Sequence, residues 1–438
     1  MIEESHAPGG GSNSRTATYI HFSRRMLALV VGILVVPWAI LLFWVFGSKA
    51  HEIAEHSLGI VESGFSPTSA SKDVRAEKVP GPWGNLETLP ITIELPDEFV
   101  FVPPPTQPPI RWFFHGYTKA KAIEFLRTNG MAEGQLDALA NKAAWTTTAD
   151  GAAVVPGDEL ILGMSPDLRA KVYSVLVEFP ENSTQIDPIW FRANELEHRL
   201  KQSDWTRASS KLLRRLLYSQ GDLLLFADFE PALRQLPDDQ ERHRFMKTVS
   251  RKETLLMRLK IDADSDINAI ANYWGLDGRK KDIIPLLRAL QRVEKGCKTS
   301  IITLLPHFAR DHLFTYPYTT TGAPAVKQDC FWSAFNFFNE VPDDRYNNMD
   351  YIRELLRSQY YSILEPSQLG DLVFLTTKDE TVIHAAAYIA ADVVFTKNGE
   401  AYTQPWIFMH MNDMLDTYAV RHPQSGPLKV LYFRRKVL

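Results

Sequence analysis

Gln328-Asp329-Cys330-Phe331-Trp332-Ser333-Ala334-Phe335-Asn336-Phe337-Phe338-Asn339 is the stretch on which the reading of this chain turns. It holds one of only two cysteines in 438 residues, at the start of a segment with aromatics on every side. A helix that is apolar all round is buried. Asp329 is a capping residue type, which places Cys330 in the first helical turn. There the free N–H groups and the helix dipole favour a thiolate. Pro342 closes the segment as a helix breaker. Downstream come Gly370-Asp371-Leu372-Val373-Phe374 and Val382-Ile383-His384-Ala385-Ala386-Ala387-Tyr388, a histidine in an apolar run. A cysteine opening a helix, followed by a strand-borne histidine, is the pattern of a thiol nucleophile with its base. The competing readings are structural: Cys330 as a small buried hydrophobe and His384 as a satisfied core histidine.

After a helix over Met349–Tyr361 the pattern turns to strands. They are expected at Asp371–Thr376, Thr381–Ala390, Val393–Thr396, Gln404–Met409 and Leu428–Phe433. Helix packed on antiparallel sheet is an α+β architecture. Period-two alternation puts Val382, His384, Ala386 and Tyr388 on one face. If Ala391-Asp392 form a two-residue hairpin turn, Tyr388 pairs with Phe395 and Ala386 with Lys397. Lys397 then shares the face of His384 while Asn398 points away, and a bulge would reverse the two.

The remainder of the chain places this unit. Residues 1–25 are a Gly/Ser-rich polar tail. Met26–Phe46 is 21 residues without a charge, long enough for a membrane helix, and Pro37 inside it is tolerated in that setting. Arg15, Arg24 and Arg25 precede the run and only Lys49 follows closely, so the tail is expected in the cytoplasm and the rest beyond the inner membrane, as a single-pass protein. A cleaved signal peptide is the rival, though its apolar region is typically shorter, about 7–15 residues. Residues 47–109 read as a proline-rich linker, with Ile91–Leu95 as a short strand. Residues 110–303 read as mainly helical, with helices at 117–128, 165–177, 206–218, 241–259, 266–274 and 282–294.

Net charge is −4, which favours no nucleic-acid partner. The basic faces Arg207, Lys211, Arg214, Arg215 and Arg244, Lys247, Arg251, Lys252 read as solvated helix surfaces. His307 and His312, five residues apart, do not share a helix face, so no metal is expected there. The sequence calls for no cofactor. Cys297 and Cys330 can form one bridge or remain two free thiols.

The order Asp329-Cys330, then Gly370-Asp371-Leu372-Val373-Phe374, then Ile383-His384-Ala385-Ala386-Ala387-Tyr388-Ile389, then Tyr432-Phe433-Arg434-Arg435, resembles the NlpC-type papain-like cell-wall cysteine peptidases. The likeness covers residues 304–438. It implies a papain-like domain that cleaves peptide or amide bonds of peptidoglycan stem peptides. Cys330 takes the nucleophile position, His384 that of the base, and Tyr318 that of a tyrosine near the oxyanion. The family's Ser-Gly after the cysteine is here Phe331-Trp332, and its Gly-Gly after the tyrosine is here Thr319-Thr320-Thr321-Gly322. Its third polar residue, often a second histidine, aligns with Lys397. A lysine ammonium only donates and disfavours an imidazolium, so Asn398, Gln404 and His410 stand as alternatives for orienting His384. Three functions are compatible: an envelope hydrolase, a non-catalytic envelope scaffold on the same fold, and a thiol acyltransferase.

Overall fold

A computed structural model of the chain describes residues 77–100, 110–141, 143–193, 196–197, 200, 204–317, 326–422 and 425–436. The apolar run Met26–Phe46 and Tyr318 lie outside these residues. Among the described residues no helix is long and apolar enough to cross a membrane. The described residues have an α+β architecture, with four antiparallel sheets and helices packed against them.

The alternating segment Leu255, Met257, Leu259, Ile261 organises the first sheet. Its order is β1 (Glu77–Gly81), β2 (Gly84–Ile93), β9 (Lys252–Ile261), β10 (Cys297–Ser300). β2 and β9 pair from Asn85↔Lys260 to Ile93↔Lys252. Two expectations are corrected here. Part of the stretch read as linker, Glu77–Ile93, is sheet, because β2 finds a long partner far away in sequence. The helix expected over 241–259 splits after Val249. Asp238 caps Asp239–Val249, and the period-two apolar run beyond Ser250 then buries one face as a strand.

The region read as mainly helical also holds two small sheets. One is ordered β3 (Trp112–His115), β5 (Gly151–Val155), β4 (Ala144–Thr148). The other is ordered β6 (Ile189–Arg192), β8 (Leu223–Phe226), β7 (Tyr218–Gln220). Around them lie α1 (Lys119–Thr128), α2 (Glu133–Asn141), α3 (Asp158–Gly163), α4 (Pro166–Leu176), α5 (Ser183–Ile186), α6 (Arg207–Leu216), α7 (Phe229–Arg234) and α8 (Asp239–Val249). Ser165 caps α4 through the Leu168 N–H with Pro166 at the first position, as its sequence foretold. A buried ion pair pins this region: Arg169 Nε donates to Asp228 at 2.8 Å, and Tyr173 donates to the other carboxylate oxygen. The remaining Arg169 nitrogens donate to the Ile161 and Arg215 carbonyls. A buried charge pair with its hydrogen bonds satisfied is the tolerable kind.

Three helices, α9 (Ile267–Trp274), α10 (Lys280–Gln291) and α11 (His307–His312), lead into the C-terminal layers. These comprise α12 (Cys330–Phe335), α13 (Met349–Gln359), α14 (Met411–Arg421) and a six-stranded sheet. The sheet order is β11 (Tyr360–Ile363), β16 (Lys429–Arg435), β12 (Leu372–Thr376), β13 (Val382–Ala390), β14 (Val393–Lys397), β15 (Trp406–His410). One face of the sheet, with Leu372, Phe374 and Ala385, meets Ala334 and Phe335 of α12. The opposite face, with Val373, Leu375, Ala386, Tyr388 and Val394, meets Met414 and Tyr418 of α14. The sheet is thus sandwiched between the helix that carries Cys330 and the last helix of the chain.

Candidate functional site

Asp329 caps α12 as its sequence predicts, its carboxylate accepting the Trp332 N–H at 2.9 Å, and Cys330 is the first helical residue. The helix is shorter than the aromatic stretch. It ends at Phe335 rather than running to Pro342, because Asn336 is fully buried and bonds elsewhere. Its side chain accepts the Asp343 N–H at 2.7 Å and donates to the Asp343 carbonyl at 3.3 Å. That pair turns the chain away, and six residues leave only a fraction of a full helix dipole. Ser333, one turn on, receives the Trp406 indole N–H at 2.8 Å and fixes α12 to β15.

Gly370-Asp371 is structural. Gly370 has φ +83, and a Cβ there would lie 2.1 Å from the Phe338 ring, so only glycine lets this ring close down. Asp371 accepts the Ser367 and Gln368 N–H groups and two N–H groups of Arg434, at 2.7 to 2.9 Å. The motif clamps the start of β12 to the final strand.

The β13–β14 hairpin decides which residues meet. Its turn is Ala391-Asp392, with Ala390 opposite Val393 and Ala391 at φ +57. Ile389 is then extra, a bulge, so that Tyr388 pairs with Val394 and Ala387 with Phe395. Continuing that register, Thr396 and not Lys397 shares the face of His384. His384 Nε2 lies 2.8 Å from Thr396 Oγ1, and its ring stacks on Tyr418, with centroids 4.1 Å apart and planes at 25°. His384 is 0% exposed. Among the described residues its Nδ1 has no hydrogen-bond partner. The tautomer that donates from Nε2 to the threonine leaves Nδ1 with the free lone pair a base needs, whereas donation by the Thr396 hydroxyl leaves Nδ1 carrying the proton.

The expectation that Lys397 shares the face of His384 is therefore corrected. Its side chain points to the α12 side, fully buried, with Nζ donating to the Gly399 carbonyl at 2.6 Å and the Ala401 carbonyl at 3.0 Å. The ammonium lies 5.9 Å from the Trp406 ring centroid. Burial brings its pKa down to about 8, against the opposing pull of Cys330, Asp329 and Glu400. Asn398 is buried, with Nδ2 against Met409 Sδ and Oδ1 without a partner. Gln404 is buried in the turn before β15. His410 pairs with Asp392 at 2.9 Å, opposite Val393, at the end of β14 away from Lys397. None of these three orients His384 through a hydrogen bond. Thr396 does.

Cys330 is 6% exposed, and no disulfide joins it to Cys297. The Ala385 N–H, next to His384 in sequence, hydrogen-bonds toward its sulfur in the sense that favours the thiolate. Burial outweighs this and, with the Asp329 charge, pushes the thiol up to about 12. Burial, reinforced by the Arg421 guanidinium, pulls His384 down to about 3. At neutral pH both groups are therefore uncharged. That arrangement can hold a proton on sulfur and an open acceptor on nitrogen, and desolvation is the force keeping both neutral.

Among the described residues no group of histidines, cysteines and carboxylates is placed to hold a metal ion. His312 stacks on Phe308, and His307 pairs with Asp311 at 3.2 Å. Sequence reasoning missed Thr396, Tyr418 and Arg421. Thr396 was within one residue of its reach; Tyr418 sits on a helix that no motif marked. Set against known proteins, the chain matches no family model, no curated protein and no solved structure.

Proposed function

We propose that residues 304–438 form a papain-like thiol hydrolase of the NlpC type. It acts on peptide or amide bonds of peptidoglycan stem peptides, at the outer face of the inner membrane, with Met26–Phe46 as its anchor. The observation that carries the reading is His384. Its Nε2 is engaged by Thr396, its Nδ1 is unpartnered, and it is carried on the strand whose Ala385 N–H serves the Cys330 sulfur. In the reaction as proposed, Nδ1 takes the thiol proton as Sγ attacks the substrate carbonyl, and that proton leaves on the amine; the step requires the thiol of α12 and the imidazole, which faces α14, to meet around the start of β13. Water then adds to the thioester, giving one proton to Nδ1, which returns it to the departing sulfur, and the product leaves as the carboxylic acid, which releases its proton to solvent. The Cys330 backbone N–H and Tyr318 are the groups assigned to the oxyanion. Purified wall peptides incubated with the parent and with Cys330→Ala test this. Cleavage by the parent is expected to be lost in the variant, and equal cleavage by both ends the proposal.

A second reading is favoured by the buried, uncharged state of the pair: a non-catalytic envelope scaffold. A thiol-reactive probe separates the two at neutral pH. A hydrolase with an activated thiol labels at Cys330 faster than at Cys297, whereas equal, slow labelling of both favours the scaffold.

A further inference from the structure

The last helix belongs to two regions at once. Its inward side carries Tyr418, whose ring lies on His384. Its far end carries Arg421, which packs over the Tyr418 ring at 5.2 Å and pairs with Asp187, just after α5. At its start, Asp413 and Asp416 both receive Arg192 from β6, the second at 3.2 Å. Val420 sits in the core formed by α1, α2, α4 and β3. Trp190 of β6 packs in return against the cluster that contains Tyr418.

We propose that Tyr418 is the positioning residue of the base, and that the region 110–303 acts through it. Asp187 and Arg192 hold α14 down so that Tyr418 stays stacked on His384. This rests on the hydrolase reading for its functional meaning and gives the middle region a task at that site. The groups facing the imidazole are Thr396 from β14, and Tyr418 and Arg421 from α14. Asp187 balances the nearby guanidinium from α5's end. An aromatic ring flat on an imidazole keeps water off that face and fixes the ring plane. With Thr396 fixing one nitrogen, a second restraint is what keeps Nδ1 aimed in one direction.

The test uses the full chain in detergent with Cys297→Ser, so that Cys330 is the sole thiol. It follows the His384 imidazole by NMR across pH, with His384→Gln to assign the signal. Tyr418→Leu removes the ring, Tyr418→Phe keeps it, and Asp187→Ala with Arg192→Ala cuts the tethers. Tyr418→Leu admits water and is expected to raise the imidazole pKa by about one unit or more, the direction relief of desolvation dictates. Tyr418→Phe is expected to leave it in place. The tether pair is expected to speed alkylation of Cys330 and to shift the imidazole upward by less, because loss of Asp187 also leaves the Arg421 charge unbalanced and pulls the other way. A folded Tyr418→Leu protein with an unmoved imidazole overturns the positioning role. Unchanged alkylation together with an unmoved imidazole in the tether pair overturns the role of the middle region, and that variant decides the matter should the core substitution fail to fold. None of these readouts needs a substrate, so they stand apart from cleavage by Cys330.

Discussion

Lowering the pH should strain this fold at one identifiable place. His384 is fully buried, and its pKa falls from the ordinary 6.5 to about 3, chiefly through desolvation and then through Arg421. Below pH 6.5 the unfolded chain binds a proton that the folded chain refuses, so stability falls as pH falls. The window runs from about 6.5 down to about 3. One pKa unit is worth about 1.4 kcal/mol, and the linkage relation gives a loss of about 2.5 kcal/mol between pH 7 and pH 4.5. His384→Gln removes the titration while leaving a polar side chain at the site. Its own packing penalty is a constant offset that vanishes when only the pH dependence is compared. Urea unfolding of both proteins at pH 7 and 4.5, followed by tyrosine and tryptophan fluorescence, measures the difference. Asp228, Glu230 and Asp413, whose carboxyls burial pushes up, titrate in both proteins and cancel. The parent should lose about 2.5 kcal/mol more than the variant. Parallel losses in the two would mean that His384 is hydrated or already protonated in the folded protein. The argument for a neutral, desolvated base would then be refuted.

Cys330 imposes the opposite dependence at the alkaline end. Its thiol is raised from 9.0 to about 12, so the folded state holds a proton that the unfolded chain gives up, and stability is lost as pH rises from about 9 toward 12. Relative to Cys330→Ser, the parent should lose about 2 kcal/mol between pH 8 and 10.5, read by the same unfolding titration; equal losses would contradict a buried thiol. Thr396→Val deletes the partner of His384 Nε2 with little change in shape, and an orphaned buried donor costs about 1–3 kcal/mol. Thr396→Ser should recover most of that stability, and a valine variant as stable as the parent would show that the hydrogen bond carries no weight.

How much of this was legible in the sequence depends on how local each signal is. Asp329 as the cap of Cys330, Ser165-Pro166 as a helix start, and the alternation through β12, β13 and β16 are decided by neighbouring residues. The structure follows all of them. Pro342 was a true breaker read at the wrong range, since Asn336 had already ended the helix by bonding to Asp343. The long pairing of β2 with β9 joins segments too far apart for either to announce the other, so all of Glu77–Ile93 but the end read as a strand, Ile91–Leu95, passed for linker.

The third position was lost to a single residue, and the reason is tertiary. The two-residue turn at Ala391-Asp392 forms as the sequence suggests, and an unbroken register from it would set Phe395 opposite Tyr388. That would carry Phe395 to the α14 face and Lys397 beside His384. Phe395 instead packs among Phe308, Phe337 and Phe408 on the other face, and the consecutive residues Ile389 and Ala390 both enter that same core. Two neighbours on a strand can face one way only at a bulge. The burial of Phe395 is worth about 1.5–3 kcal/mol, and it selects the slipped register. The slip then places a hydroxyl, not an ammonium, against the base. Lys397 beside His384 would add a second cation to Arg421, which already opposes protonation of the imidazole, whereas a threonine adds no charge and makes one hydrogen bond. The aromatic core under α12 therefore determines the chemistry on the far side of the sheet, through the parity of one strand.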